Sequence, residues 1–543
     1  MKKIIRKVIV VILLLLVAFI YYYLTLPAIN IHSAGFWFFF MFMIFVLNGM
    51  WLFKKKRKEF AGFSKDGIQL DMQMFKDIKF GILLLVIVFA MYIIGSILSS
   101  PIINAKKYQR LMTIEKRVFT EDVQEVDFST IPLLDKDSAS LLGNRKMGSI
   151  VEMVSQFEVD DDYTQINYND KPVRVTPLKY ASTIKWITNQ KEGIPAYILI
   201  DMTNQNTSCI NLTEGIKFSK SEHFNRNLYR HLRFNYPTYI FDDQIFFEID
   251  DAGIPYWVCP VKKFNIGLFG GQTVGRVVLC NAVTGECTDY AINDVPQWID
   301  KVYSAELLTK LYDYSGSLVN GYLNSILGQK GCLKTTNGYN YIALEDDVWV
   351  YTGVTSVSGD QSVIGFVLMN QRTMETRFYT IEGAIEDSAM SSAEGQVQHL
   401  GYDATFPLLL NIANEPTYFM ALKDEAGLVK KYAMVNVQKY QVVATGDTVK
   451  ECEKEYTTLL NTSGIVLNVI GENKNVKGEI TALASVVIEG STHIYLCIGE
   501  GGNIYDVDLL NQELISIIKY KIGDKVSIHY LDDIGLKPVV SIE

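Results

Sequence analysis

Three runs of apolar residues near the start of the chain constrain its fold more than anything that follows them. VIVVILLLLVAFIYYYLTL (Val8 to Leu26), GFWFFFMFMIFVLNGMWLF (Gly35 to Phe53) and FGILLLVIVFAMYIIGSIL (Phe80 to Leu98) contain no charged residue. Each is long enough to cross ~30 Å of hydrocarbon as a helix. A buried core helix would normally carry a polar face, and none of the three does. The sequence therefore predicts a transmembrane domain over residues 1–103, with helices near 8–26, 35–53 and 80–98. The first run resembles a signal peptide in its basic lead, Lys2, Lys3, Arg6 and Lys7. Its apolar stretch is too long for one, and no small-residue cleavage site follows, so it reads as an anchor.

Basic residues set the expected orientation. Four flank the first helix and KKKRK (Lys54 to Lys58) follows the second, whereas PAINIHSA between them has no Lys or Arg. The positive-inside rule then puts the N-terminus in the cytoplasm and everything after Leu98 outside the plasma membrane. Lys106, Lys107 and Arg110 oppose this weakly. The two parts also differ in charge: residues 1–103 carry 12 basic and 4 acidic side chains, leaving 39 basic and 56 acidic in the remainder. A domain with net charge −17 repels nucleic acid, which is therefore not an expected partner.

The seven cysteines include no CxxC pair, so neither a zinc ribbon nor a thioredoxin-type motif is present. Cys280 and Cys287 flank VVLCNAVTGECTDY, which reads as a hairpin with Asn281 and Gly285 in its turn. In that register the two cysteines face each other, either as a redox-sensitive cross-strand disulfide or, preferred here, as two small apolar residues. LMNQRTMETRFY (Leu368 to Tyr379) matches LCNAVTGECTDY (Leu279 to Tyr290) without a gap. Asp201 in LIDMTNQNTSCI and Asn436 in MVNVQKYQVV echo it more loosely. GIPAY (Gly193 to Tyr197), GIPYW (Gly253 to Trp257), DVWVY (Asp347 to Tyr351) and NEPTY (Asn414 to Tyr418) precede these hairpins as strands. Helices are expected before them, one opened by Thr176 and Pro177 and another by a Ser219–Glu222 capping box.

This unit resembles the PepSY domain, in which a G-x-P-x-Y strand leads to a turn of acidic or Asn, x, x, Thr, Gly, Glu; GIPYW and NAVTGE carry the likeness. The whole arrangement looks like three-helix membrane proteins of Gram-positive bacteria with PepSY-like extracellular repeats. The resemblance implies α+β binding or protease-regulating modules of the cell envelope, with no catalytic residues to carry over. It divides the chain into a juxtamembrane segment, 104–158, and four units, 159–214, 215–303, 304–384 and 385–446. A linking helix, 447–460, is expected from the Thr448–Glu451 capping relation. Short strands and Gly-rich turns over 461–543 predict a small β-barrel resembling an OB-fold.

Few residues point to chemistry. GLFGGQTVG (Gly267 to Gly275) lacks the Lys-Ser/Thr of a phosphate loop and reads as a long hairpin loop. The Asp160–Asp162, Asp242–Asp243, Asp250–Asp251 and Asp346–Asp347 clusters lack EF-hand spacing and read as solvated turns. His223 and His231, two helical turns apart, need outside ligands to hold a metal. No catalytic constellation, metal or cofactor is implied. Arg226, Arg230 and Arg233 are spaced to line one helix face. Such a stripe would grip an anionic partner or, as the preferred account, pair with neighbouring carboxylates.

The expected function is a non-enzymatic, membrane-anchored envelope protein. Its extracellular units would bind, scaffold or regulate another envelope protein, and its helices would allow homo- or hetero-oligomers in the bilayer. The alternative is an envelope enzyme with a dispersed active site, or an accessory subunit of a larger membrane complex. A cleft with two convergent carboxylates of raised pKa would favour the enzyme, and a broad exposed apolar patch the scaffold.

Overall fold

The computed structural model describes residues 2–60, 72–124, 131–169, 171–357, 362–463, 473–488, 491–499, 502–509, 512–531 and 537–542. It is a mixed α+β structure ending in a closed five-stranded barrel. Helices α1 (Lys2–Thr25), α2 (Ala34–Phe60) and α3 (Met72–Leu98) open the chain. Among the described residues, one helical segment, Gly81–Leu98, is long and apolar enough to cross a membrane. The apolar stretches of α1 and α2, Val11–Thr25 and Ala34–Met50, are shorter. Pro101 then opens α4 (Pro101–Gln109), which kinks at Asn104.

Sheets and short helices alternate after α4. A five-stranded sheet runs from Phe157 to Ile216, a four-stranded one from Phe246 to Ala291, and another of five strands from Asp403 to Gly446. Between the last two lies a six-stranded sheet whose edge, Glu115–Arg117, pairs in parallel with Thr376–Tyr379. One pairing recurs in all four. Val173 faces Asp201, Tyr256 faces Asn281, Trp349 faces Asn370, and Thr417 faces Asn436. One residue earlier on the first strand, the carbonyls of Pro172, Pro255, Val348 and Pro416 accept N–H bonds of 3.0 to 3.1 Å. The donors are Met202, Ala282, Gln371 and Val437, each just after the Asp or Asn.

This register corrects two expectations in the first sheet. The counterpart of GIPYW is Lys171–Tyr180, entered through Pro172; Ile194–Asp201, which holds most of GIPAY, is the next strand along. Thr176 and Pro177, expected to open a helix, lie inside Lys171–Tyr180. The helix there begins only at Thr183, with Ser182 as its cap. Val173, Val175 and Leu178 are all buried, and this burial overrides the local Thr-Pro signal. The helix that precedes this sheet as others precede theirs is Lys136–Gly148, within the segment taken as juxtamembrane.

Other expectations hold. Thr448 and Glu451 form a reciprocal capping box at the start of helix Val449–Thr462. GLFGGQTVG holds a hairpin as expected, but its tip is only Gly267–Phe269; Gly270–Gly275 already pair in the strand Gly270–Asn281, so the loop is short rather than long. The barrel closes in the order first, second, third, fifth, fourth strand around Ile480, Leu496, Val507 and Ile528. GIVLNVI, residues 464–470, lies outside the described residues.

The sheets meet the helix ends directly. The Arg233 Nε–H donates to the Leu26 carbonyl at 2.9 Å, where α1 terminates with Leu26 in a left-handed conformation. Ile29 N–H donates to Pro237 O at 2.7 Å. At the other helix pair, Ser99 Oγ accepts from Leu268 N (2.8 Å) and Phe269 N (3.1 Å), and His32 Nδ1 donates to Leu268 O (2.7 Å).

Candidate thiol–imidazole site

The site is assembled on the second sheet by the turn that joins its last two strands. Asn281 Oδ1 accepts from Val283 N and Thr284 N, both at 2.9 Å, and Asn281 N–H donates to Glu286 O at 2.9 Å. Gly285 closes the turn at φ +78°. These bonds fix the register, so Cys280 and Cys287 stand directly opposite each other. Asn281 and Glu286 are joined by a ladder hydrogen bond, so the cysteine pair beside them is of the non-hydrogen-bonded kind. Its Cα atoms are then roughly 4.5 Å apart, inside the ~4.4–6.8 Å range that a disulfide spans.

The third group comes from helix Leu228–Asn235. Leu228 and Leu232 are fully buried and set the rotation of that helix. His231 is thereby turned onto the hairpin, with its ring 4.5 Å from that of Phe218. Its Nε2–H donates to Gly285 O at 2.7 Å, a bond that fixes the tautomer of the neutral ring. A ring nitrogen of His231 and the sulfurs of Cys280 and Cys287 all lie within 4.8 Å of one another. Gly285 is needed here twice, because a Cβ at this position would also meet the Phe218 ring at 2.4 Å.

The three groups differ in acidity. The hydrogen bond from Cys280 draws the half-buried Cys287 thiol down to about 6 despite burial, and His231 adds to the effect. Cys280, the donor in that bond and almost fully buried, is pushed far upward. His231 is raised, first by its hydrogen bond to Cys287 and then by the Gly285 carbonyl, against the effect of burial. Near neutral pH the arrangement is thus a thiolate at Cys287 held between a thiol and an imidazole. Cys259, on the neighbouring strand, is buried and stays a thiol.

The arginines singled out in the sequence are not a stripe. Arg226 falls in a 3-10 turn, Phe224–Arg226, before the Asn227 cap, and donates to the Gln190 carbonyl. The Arg230 guanidinium lies 4.7 Å from the centre of the Tyr23 ring. Arg233 is buried, donating to the carbonyls of Leu26, Tyr236 and Tyr239. Among the described residues none of the three pairs with a carboxylate, which corrects the preferred account. At Arg233 the reason is that the carbonyl at the end of α1 and those just after its own helix take the guanidinium's donors. The Ser219–Glu222 contact forms, with Ser219 Oγ accepting from Glu222 N at 3.2 Å. No helix follows it, since the Glu222 carboxylate accepts instead from Tyr180 Oη and Trp186 Nε1, each at 2.7 Å.

Two carboxylates of raised pKa do converge, Glu248 and Asp300, and both are almost completely buried. No sequence spacing announces the thiol–imidazole site, because His231 stands 49 residues before Cys280 on a different element. No protein-family model matches the chain, and no curated protein matches it.

Proposed function

We propose that this chain is a membrane-anchored protein whose folded part exchanges thiols for disulfides with a partner protein, using Cys287 as nucleophile. The observation that carries the proposal is the close triad of Cys280, Cys287 and His231 in a cross-strand register that a disulfide can span. This favours the enzymatic alternative over a purely scaffolding role. In the first step the Cys287 thiolate attacks one sulfur of a partner disulfide. That bond breaks, a mixed disulfide forms, and the partner's other sulfur leaves as a thiolate. Cys280 then gives its proton to His231 and attacks Cys287 Sγ. The mixed disulfide breaks, Cys280–Cys287 closes, and two electrons have passed to the partner. A second dithiol restores the reduced pair.

The surrounding architecture belongs to the same proposal. Three spanning helices would place the N-terminus in the cytoplasm and the sheets outside, where protein disulfides occur. The four related strand pairings support a PepSY-like reading of the sheets as a platform for the partner. The barrel's strand order, with its helical turn Gln512–Lys519 between the third and fourth strands, supports an OB-like reading.

The test uses the full-length protein in membranes. Cys280→Ser should trap a partner on Cys287 as a mixed disulfide visible on non-reducing gels, and Cys287→Ser should trap none. Alkylation of Cys287 should follow a midpoint near the value of about 6 given by its surroundings. An ordinary midpoint near ~8.5 together with no trapped partner overturns the reading. The three donors also suit a thiophilic ion as part of a tetrahedral set. Stoichiometric zinc in the purified protein, lost in Cys280→Ser, would replace thiol exchange with metal binding.

A further inference from the structure

Beyond the thiol site, the segment after helix Ala305–Ser317 leaves large apolar side chains in the open. Leu323 and Leu327 are 73% and 80% exposed, and Val319 and Ile326 are also exposed. The segment is nonetheless held at its base. Asn324 donates through Nδ2 to Lys330 O at 3.1 Å and accepts from Lys330 N at 3.2 Å, while Asn320 Nδ2 donates to the same carbonyl at 2.9 Å. Cys332 Sγ donates to Ser317 O at 3.1 Å. An anchored loop that points four aliphatic side chains away from its own core requires an apolar neighbour.

Its position says which neighbour. Tyr322, beside Leu323, packs into a small cluster with Tyr108, Ile266 and Leu318. Within that cluster Tyr108 donates to Ser99 O at 2.7 Å, and Ser99 is the residue immediately after α3. The apolar segment therefore sits beside the end of α3, which among the described residues is the one helix long and apolar enough to span a membrane. Helix α4, which begins just after Ser99, exposes Ile102 and Ile103. The chemistry around the patch agrees. No acidic residue occurs between Asp313 and Glu345, in a part of the chain with net charge −17, whereas Lys330 and Lys334 lie within that stretch and Lys106 and Lys107 on α4.

We propose that Val319, Leu323, Ile326 and Leu327, together with Ile102 and Ile103, form a foot that enters the headgroup layer of the bilayer. The apolar side chains reach the acyl boundary and the lysines meet anionic headgroups. This rests on the membrane-anchored reading of α3. The foot gives the sheets a second attachment to the lipid surface besides the helices.

The experiment reconstitutes the full-length protein in phosphatidylcholine–phosphatidylglycerol nanodiscs containing a photoactivatable diazirine lipid, then maps the labelled peptides. Labelling of both Gly81–Leu98 and residues 319–327, with the barrel unlabelled, is the expected result. In the double variant Leu323→Glu/Leu327→Glu, whose sites are exposed and outside the core, labelling of 319–327 should fall several-fold while α3 labelling persists. Labelling of α3 without the segment overturns the foot alone. No labelling of either overturns the spanning reading of α3 and the foot with it. Crosslinks from the segment to a second copy in place of lipid would make it a subunit interface and also overturn the proposal.

Discussion

Gly285 and Glu248 show how single positions set the behaviour of the second sheet. An alanine at 285 must adopt φ +78° and push its Cβ into the Phe218 ring. The left-handed backbone alone costs about 1–2 kcal/mol, and displacement of Phe218 carries His231 with it. Gly285→Ala should therefore lower thermal stability and also raise the alkylation midpoint of Cys287, two readouts of one strained turn. At Glu248 the effect is on pH. Burial holds its carboxyl up at about 7, against the N–H groups of Asp300 and Lys301 (3.0 and 2.9 Å) and the Lys301 charge, and Asp300 is raised by burial and by Glu248. An unfolded Glu titrates at about 4.3, so between these values the folded protein binds more protons than the unfolded one. Stability from this pair is complete below about pH 4 and is lost as the pH rises through about 7. The urea midpoint of the solubilised protein should fall between pH 5 and pH 8, and Asp300→Asn should flatten that slope. A flat wild-type profile would mean the pair is ionised throughout.

Among the elements, the turn after the paired strands is the recurring device. Asp201, Asn281, Asn370 and Asn436 each accept from two backbone N–H groups within the next three residues. Asn370 also donates to Asp347 at 2.8 Å from a buried position. Asn370→Ala should cost about 1–3 kcal/mol through orphaned groups, more than the same change at the more open Asn281, as read from unfolding midpoints. In this turn the left-handed position is Gly285 in one sheet and Met374, at φ +67°, in the next. Met374→Gly relieves the left-handed backbone but removes a side chain packed against the core, so the net change in stability, read from the unfolding midpoint, should stay within about 1 kcal/mol. The turns and barrel strands were legible because short-range hydrogen bonding and alternation determine them. Helix Lys136–Gly148 was not, since its 13 residues mix Ser, Gly, Asn and charges with few apolar positions. The Thr176–Pro177 signal misled for the complementary reason, that burial in the sheet outweighs a cap.

At the scale of the whole molecule, one short helix touches both the thiol site and the end of α1. Leu228–Asn235 carries His231 toward Cys287 and Arg230 and Arg233 toward α1. Local sequence could not reveal this, because Leu26 and Arg233 are 207 residues apart and the three arginines look alike in a list of charges. The arrangement predicts that the end of α1 and the site are coupled. Arg233→Met keeps much of the buried aliphatic stem and removes the donors to Leu26, Tyr236 and Tyr239. Orphaning those carbonyls should cost about 1–3 kcal/mol for each one left buried, and water at the protein surface will offset part of that. The more telling readout is chemical. If the arginine fixes the height of the helix, its loss lets His231 drift from Gly285 and Cys287, and the Cys287 alkylation midpoint should climb toward the ordinary ~8.5 of a free thiol. An unchanged midpoint alongside a lower melting temperature would show that Leu228 and Leu232 alone position His231, and that the end of α1 and the thiol site are energetically independent.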